Sequence, residues 1–531
     1  MASRSLLREA ILLTGLTAVA LALRLYRLEA IPPGFHGDEA AFGMEAARIA
    51  RGEWIGIWTG VTLGHPTGHL YWTALLVKVF GPSVFSVRLA MALVGTLTVP
   101  AAYLLLRQLF SFRVAFTASA FIAFSFWHLV YSRAGWTIAP AVLLLLLSLA
   151  CLFRSWQRGS WPFAIAGGIL LGLGFYTHKN FPFYYAGVWA FGLARIVLDR
   201  SVARRQLTGV FLLLSVVAAA PFLDFLAGNY GLFLQRLKLE SFFEQPFFQN
   251  APGVLGKAGA TMLRVLEVLF LFHFWTPVDY VDGTGGRPLM GVVLSAFFWL
   301  GLVVTARRLK EPAYQLLAIG WLAGSLPPML AVTGEQRRLL GAMPFMMAYA
   351  ALGLEAAILW GTRLAIKLKG WARERQGRER LLRASANVGL TLFLLSFAIT
   401  NASYYFVSWP ASYQAKLTYA FDLVKAIEYL KAHGSGAYVY FYADRWSFNY
   451  ETRQFLLPGL PGEDRSTQFG GDGTLERRHS GKVVYVLLGE YTRLADDLRA
   501  LYPEGPDEGN DFYEARDTDG RAIFAALVSF R

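Results

Sequence analysis

Long apolar runs dominate the chain from its N-terminus to about residue 408, and short polar, mostly basic segments separate them. Runs of roughly 17–25 residues can cross a bilayer. Such runs fall at about 9–28, 85–107, 113–131, 138–154, 162–178, 181–198, 207–226, 289–306, 313–331, 339–360 and 387–407. The pattern predicts a polytopic α-helical membrane protein of about eleven spans. Beyond residue 408 the periodicity changes. Ala415–Ala432 has helical spacing, with Leu417, Phe421, Val424, Ile427, Tyr429 and Leu430 apolar. Tyr438–Tyr442, Val483–Leu488 and Ala522–Val528 read as buried strands, and Tyr491–Leu501 as a helix. This alternation predicts a small α/β domain at 409–531 following a membrane domain at 1–408.

Composition agrees. Hydrophobic residues make up 55% of the 531 and charged residues only 16%, well below the roughly 25% of a soluble domain. The net charge of +14 would suggest nucleic acid on a soluble protein. Here the basic residues sit in short loops, and no recognition motif accompanies them. They read instead as topology. With the N-terminus in the cytoplasm, the inside loops hold Arg107 and Arg113; Arg154 and Arg158; Arg200, Arg204 and Arg205; Arg307, Arg308 and Lys310; and the strongly basic stretch 361–385. Residues 29–84, 227–288 and the C-terminal domain then lie outside. We expect a multi-pass protein of the bacterial inner membrane. Ala10–Leu23, behind Arg4 and Arg8, reads as a retained first span because no small-residue cleavage site follows. The single cysteine, Cys151, excludes an intramolecular disulfide and a thiolate metal site.

The short outside connections carry Arg133, Lys179, Arg337 and Arg338, where the charge rule expects few cations. Snorkelling to headgroups accounts for one such residue; a set on one face describes a basin for an anionic lipid headgroup. The first external loop opens with His36-Gly37-Asp38-Glu39. Asp38 stands where an N-cap belongs, ahead of a helix over Glu39–Arg51. A carboxylate held there at the membrane surface can take a proton from an attacking hydroxyl or amine, or hold a divalent cation. Further on come His65 and His69, four apart, but Pro66 and Gly68 argue against one regular helix through both. Substrate contact or loop hydrogen bonding fits them better than a metal. Tyr71 and Trp72 suit a membrane interface. His178 lies in the shortest external hairpin, Tyr176–Asn180, whose polar groups must face headgroups or a cavity. His273, Asp279 and Asp282 end the second external loop and could face the same cavity.

With these residues laid out, the chain resembles the C-type superfamily of membrane glycosyltransferases, nearest the branch of protein O-mannosyltransferases and the lipid A aminoarabinose transferase. The resemblance rests on Gly37-Asp38-Glu39-Ala40 with Gly43, Gly64-His65-Pro66 to Tyr71-Trp72, Gly81-Pro82-Ser83 through Val87-Arg88-Leu89, and Tyr131-Ser132-Arg133. It implies a polyprenyl-phosphate-linked sugar as donor, undecaprenyl or dolichyl, and transfer to a lipid, glycan or protein acceptor on the outer face. It implies catalytic roles for Asp38 and Glu39, with Asp38 as the base of an inverting transfer or as the acid that orients the acceptor, and a place for Arg133 near the donor phosphate. Related enzymes often carry Lys-Pro where this chain has His65-Pro66, so Lys179 or the Arg337–Arg338 pair would supply that charge. His36, His65, His69, Tyr71 and His178 are the candidate substrate contacts. No cofactor is certain from these residues; a divalent metal cation is the open candidate, and if used it would fall to Asp38, Glu39 and His65. A transporter or flippase of lipid-linked glycans is the alternative; it would place polar residues near the bilayer midplane, whereas the charges here cluster at one surface.

Overall fold

The structure is a computed structural model that describes residues 2–231, 239, 241–270, 284, 287–332, 336–368, 375–504, 509–517 and 519–530. His273, Asp279 and Asp282 lie outside the described residues. The first half of the chain runs α1 (Ala2–Leu25), α2 (Gly37–Ala50), a minimal hairpin of β1 (Trp58–Thr59) and β2 (His65–Pro66), then α3 (Gly68–Phe80), α4 (Val84–Leu109), α5 (Phe112–Phe124), α6 (Phe126–Arg133), α7 (Ala139–Arg158), α8 (Trp161–Leu173), α9 (Phe181–Leu198) and α10 (Val202–Gly228). Helices at Gly253–Leu269, Gly291–Ala306, Pro312–Leu330, Met343–Leu368 and Arg375–Ser403 follow.

Each expected span falls on a helix. Among the described residues, seven helices are long and apolar enough to cross a membrane, and eight if α5 and α6 count as one span. These two are bent by 57°. The break lies at Ser125, whose extended ψ of 129° ends α5 and starts α6. Trp161–Tyr176 and Gly291–Ala306 are apolar but shorter. Small residues let the helices close. On α8, an added Cβ at Gly168 or Gly172 would lie 2.4 Å from the Phe211 or Ser215 carbonyl of α10.

The C-terminal domain is a five-stranded mixed sheet, ordered β4 (Gly462–Asp464), β3 (Tyr438–Tyr442), β5 (Val483–Leu488), β7 (Ala522–Ser529) and β6 (Asn510–Arg516). β4, β3 and β5 are parallel, while β7 is antiparallel to both β5 and β6. All six β5 residues are buried, as expected for a central strand covered on both faces. The helix expected over Ala415–Ala432 is two pieces, Tyr413–Thr418 and Phe421–His433. They are separated by Ala420 in left-handed conformation at φ 48°. The break serves the packing of Tyr419: its ring is fully buried and its carbonyl accepts the Phe35 N–H at 2.6 Å. The two domains thus meet at the turn that leads into α2. Thr452 Oγ1 donates to the Phe35 carbonyl at 2.9 Å, and the Phe35 and Phe455 rings lie 5.4 Å apart.

Candidate active site

The first turn of α2 sets the geometry. His36, rather than Asp38, caps this helix. Its Nδ1 accepts the Asp38 N–H at 2.9 Å, and the Glu39 carboxylate accepts the His36 N–H at 3.0 Å, which makes a reciprocal capping box. The expectation of Asp38 as cap is corrected for a physical reason. A capping box needs its acid three residues after the cap, and Glu39, pinned by Arg88, supplies it. Asp38 therefore falls inside the first turn, half-buried, with its carboxylate free of the cap.

Its neighbour has the opposite fate. Glu39 Oε1 accepts from Arg88 Nε at 3.0 Å and from the Gly135 N–H at 2.8 Å, and Oε2 accepts from the second Arg88 nitrogen at 3.1 Å. Both side chains of this pair are fully buried. Arg88 also donates to the carbonyls of Leu28, Glu29, Pro32 and Gly34. Glu39 is thus the centre of a brace that fixes the turn before α2 to α4 and to the segment after α6.

Asp38 faces a cavity of about 670 Å3, open mouth included. Its walls include Asp38, His65, Trp136, His178, Lys179, Arg337 and Arg338. Lys179 comes from the turn between α8 and α9, and Arg337 and Arg338 from a two-turn 3-10 segment, Gln336–Gly341. That segment is anchored: Trp127 Nε1 donates to the Gln336 carbonyl at 3.2 Å, and Gln336 Nε2 donates to the Arg287 carbonyl at 2.9 Å. Trp136 has the His36 ring 4.8 Å away and the Arg337 guanidinium 4.8 Å from its centroid. The His65 and His178 rings lie 5.6 Å apart, and His178 Nδ1 accepts the Asn180 N–H at 3.1 Å. A single carboxylate thus shares one cavity with three cations, two imidazoles and an indole.

The structure gathers Asp38, His65, His178, Lys179, Arg337 and Arg338 and sets the remaining candidates apart. His36 supports the cavity from behind, through the cap and through Trp136. His69 is buried in the first turn of α3, edge-on to Phe42 at 5.2 Å, and does not line the cavity. Burial pushes its imidazole down to about 3, so it is neutral. Tyr71 donates to the Gly56 carbonyl at 3.1 Å beside Trp54, away from the cavity. Arg133 is fully buried and does not line it either. Its fork donates to the carbonyls of Leu23, Tyr26 and Ile31 and to Tyr405 Oη.

The trio Asp38, Glu39 and His65 does not gather as a metal site in the described structure. Among the described residues no three of His, Cys, Asp and Glu gather closely enough to hold an ion. Of the trio Asp38, Glu39 and His65, Glu39 has its oxygens committed to Arg88, Gly135 and His36.

Several residues of the site escaped the sequence. Trp136 lies in the same short outside connection as Arg133 but carries no charge to mark it, and Thr62 and Leu63 line the cavity with φ of 49° and 63°, a left-handed pair unusual outside glycine. Tyr419 is buried behind Trp136, whose Nε1 donates to its Oη at 3.3 Å. Burial first, and Glu39 second, hold its phenol protonated well above the usual range. Arg88 was visible as a charge at the edge of an apolar run; the others carry no signal without the fold.

Residues 64–225 match the family model described as dolichyl-phosphate-mannose-protein mannosyltransferase. A comparison with curated proteins returns no match. The oligosaccharyltransferase of Archaeoglobus fulgidus, tethered with an acceptor peptide, superposes with a TM-score of 0.55 at 14% identity, covering 97% of this chain and 73% of that one. The same organism's AglB, with an inhibitory peptide and dolichol-phosphate, gives 0.54 at 14% identity over 97% and 74%. ArnT from Cupriavidus metallidurans, bound to undecaprenyl phosphate, gives 0.53 at 14% identity over 97% of both chains. The chain has the fold these proteins share, that of the C-type membrane glycosyltransferases, with a match to one of their families over α3–α10.

Proposed function

We propose that this C-type glycosyltransferase moves a sugar from a polyprenyl-phosphate donor to an acceptor at the outer face of the membrane, in one inverting displacement. The observation that carries this reading is the cavity in which Asp38 shares walls with Lys179, Arg337 and Arg338. An acceptor hydroxyl or amine attacks the anomeric carbon and gives its proton to the Asp38 carboxylate. The bond from that carbon to the phosphate oxygen breaks, and the lipid phosphate leaves with the electron pair. Its negative charge meets the three cations, which stabilise it as it develops. His65 and His178 line the space left for the sugar. Glu39 and Arg133 act through the backbone they hold rather than on the substrate. Dolichol-phosphate in the AglB structure and undecaprenyl phosphate in the ArnT structure support a lipid-phosphate donor.

The test is transfer from radiolabelled polyprenyl-phosphate sugar in proteoliposomes. Asp38→Asn is expected to slow transfer about 10²–10⁴-fold while donor binding is kept. Full activity in that variant sinks the assignment of the base. Donor translocation without any transfer would point to a transporter.

A further inference from the structure

We infer that a second cavity, separate from the one around Asp38, binds a zwitterionic membrane phospholipid by its headgroup, a phosphate joined to a primary ammonium. The inference goes beyond the proposed reaction and does not depend on the role of Asp38. The cavity measures about 1370 Å3, open mouth included, and shares no lining residue with the first. Its walls come from the residues just past α1, the turn before α2, the start of α4, and the helices Phe421–His433 and Glu451–Leu456 of the C-terminal domain. Both α1 and α4 are long and apolar enough to cross a membrane. A groove between the end of one span and the start of the next lies at the level of the lipid headgroups.

The lining is amphipathic. Phe35, Val84, Val424, Ile427 and Leu456 supply apolar surface, and charge comes from Arg27, Lys425 and Lys431 against Glu29 and Glu428. Lys425 and Glu428 satisfy each other at 2.6 Å. Arg27, Glu29 and Lys431 are exposed, and among the described residues none of the three takes part in an ion pair. Two uncommitted cations beside one uncommitted carboxylate complement a headgroup that carries one phosphate and one ammonium. An anionic headgroup would set its charge against Glu29, and a quaternary ammonium has no hydrogen to donate to it. The backbone adds an independent sign. Arg27 stands at φ 50°, just past α1, in the left-handed position where glycine is the easy choice. Its carbonyl accepts the N–H groups of Ala30 and Ile31 at 3.1 and 3.0 Å, and the Glu29 carbonyl accepts from the buried Arg88 at 3.2 Å. A guanidinium carried at a strained position on the rim of a groove points to work for that side chain. The bound headgroup would tie Arg27 and Glu29 of the membrane domain to Lys431 of the C-terminal domain.

The experiment uses the full chain in detergent. Retained lipid is counted by native mass spectrometry against added phosphatidylethanolamine, phosphatidylglycerol and phosphatidylcholine, and melting temperature is measured in parallel. We expect wild type to hold phosphatidylethanolamine about 10-fold more tightly than either other lipid, the scale of one charge-assisted hydrogen bond, and to melt higher in its presence. Lys431→Ala and Arg27→Gly should each weaken that binding about 10-fold. Arg27→Gly places glycine at a left-handed position, so without lipid it should melt close to wild type, which separates lost binding from lost fold. Glu29→Gln should abolish the preference over phosphatidylglycerol. Equal binding of the three lipids by wild type, or wild-type retention of phosphatidylethanolamine when Arg27→Gly and Lys431→Ala are combined, overturns the inference. Displacement of the lipid by polyprenyl phosphate or inorganic phosphate at equal concentration overturns it too, since the groove would then be a site for phosphate alone.

Discussion

The buried arginines and the cations of the cavity carry the same charge on neighbouring parts of the molecule and spend it differently. Arg88 and Arg133 are removed from solvent and donate to backbone carbonyls between Leu23 and Gly34. Lys179, Arg337 and Arg338 face open space beside Asp38. A guanidinium has five donors in a fixed fork, which suits it to gathering the carbonyls of an irregular turn near apolar helices. Charge close to a membrane surface is therefore no mark of phosphate binding by itself. Arg88 and Arg133 have donors committed to backbone, whereas Lys179, Arg337 and Arg338 line the cavity.

That contrast can be tested from the strongest effect down. Arg88→Met leaves the Glu39 carboxylate buried without its partner, and removing one member of a buried pair costs about 3–5 kcal/mol. It should lower the melting temperature in detergent sharply; a variant melting like wild type would deny the brace. Arg337→Ala is expected to leave melting in place and lower kcat about 10²–10³-fold, as for the loss of one preorganised charge-stabilising donor. Loss of fold instead of rate would move Arg337 into the structural set. His36→Ala removes the cap of α2 and should cost about 1 kcal/mol of stability, a smaller melting shift than that of Arg88→Met. A larger one would mean that the contact with Trp136 outweighs the cap.

The membrane architecture was legible because a span is a local property: apolar length and flanking charge can be read without knowing what the helix touches. The strands at 438–442 and 483–488 were legible for the same reason. What the sequence misplaced was decided by distant partners. Asp38 and His36 are both plausible caps, and the choice fell to His36 because Arg88 holds Glu39 in the box. The helix expected through Ala420 breaks because the Tyr419 carbonyl must meet Phe35. The cavity itself was half legible. Asp38, Lys179 and Arg337 are charges at the ends of spans, whereas Trp136 and Tyr419 are aromatic residues in a chain that is 15% aromatic, with nothing to distinguish them.

The site also has an order of assembly. Asp38 is among the first residues synthesised, Lys179 and then Arg337 follow along the chain, and Tyr419 arrives after the last apolar helix. Chains are made N-terminus first, and domains settle as they emerge. A nascent or truncated chain would hold the carboxylate without its cations, and a chain lacking the C-terminal domain would hold both without the Tyr419 phenol behind Trp136. A half-inserted protein would therefore lack part of the proposed centre.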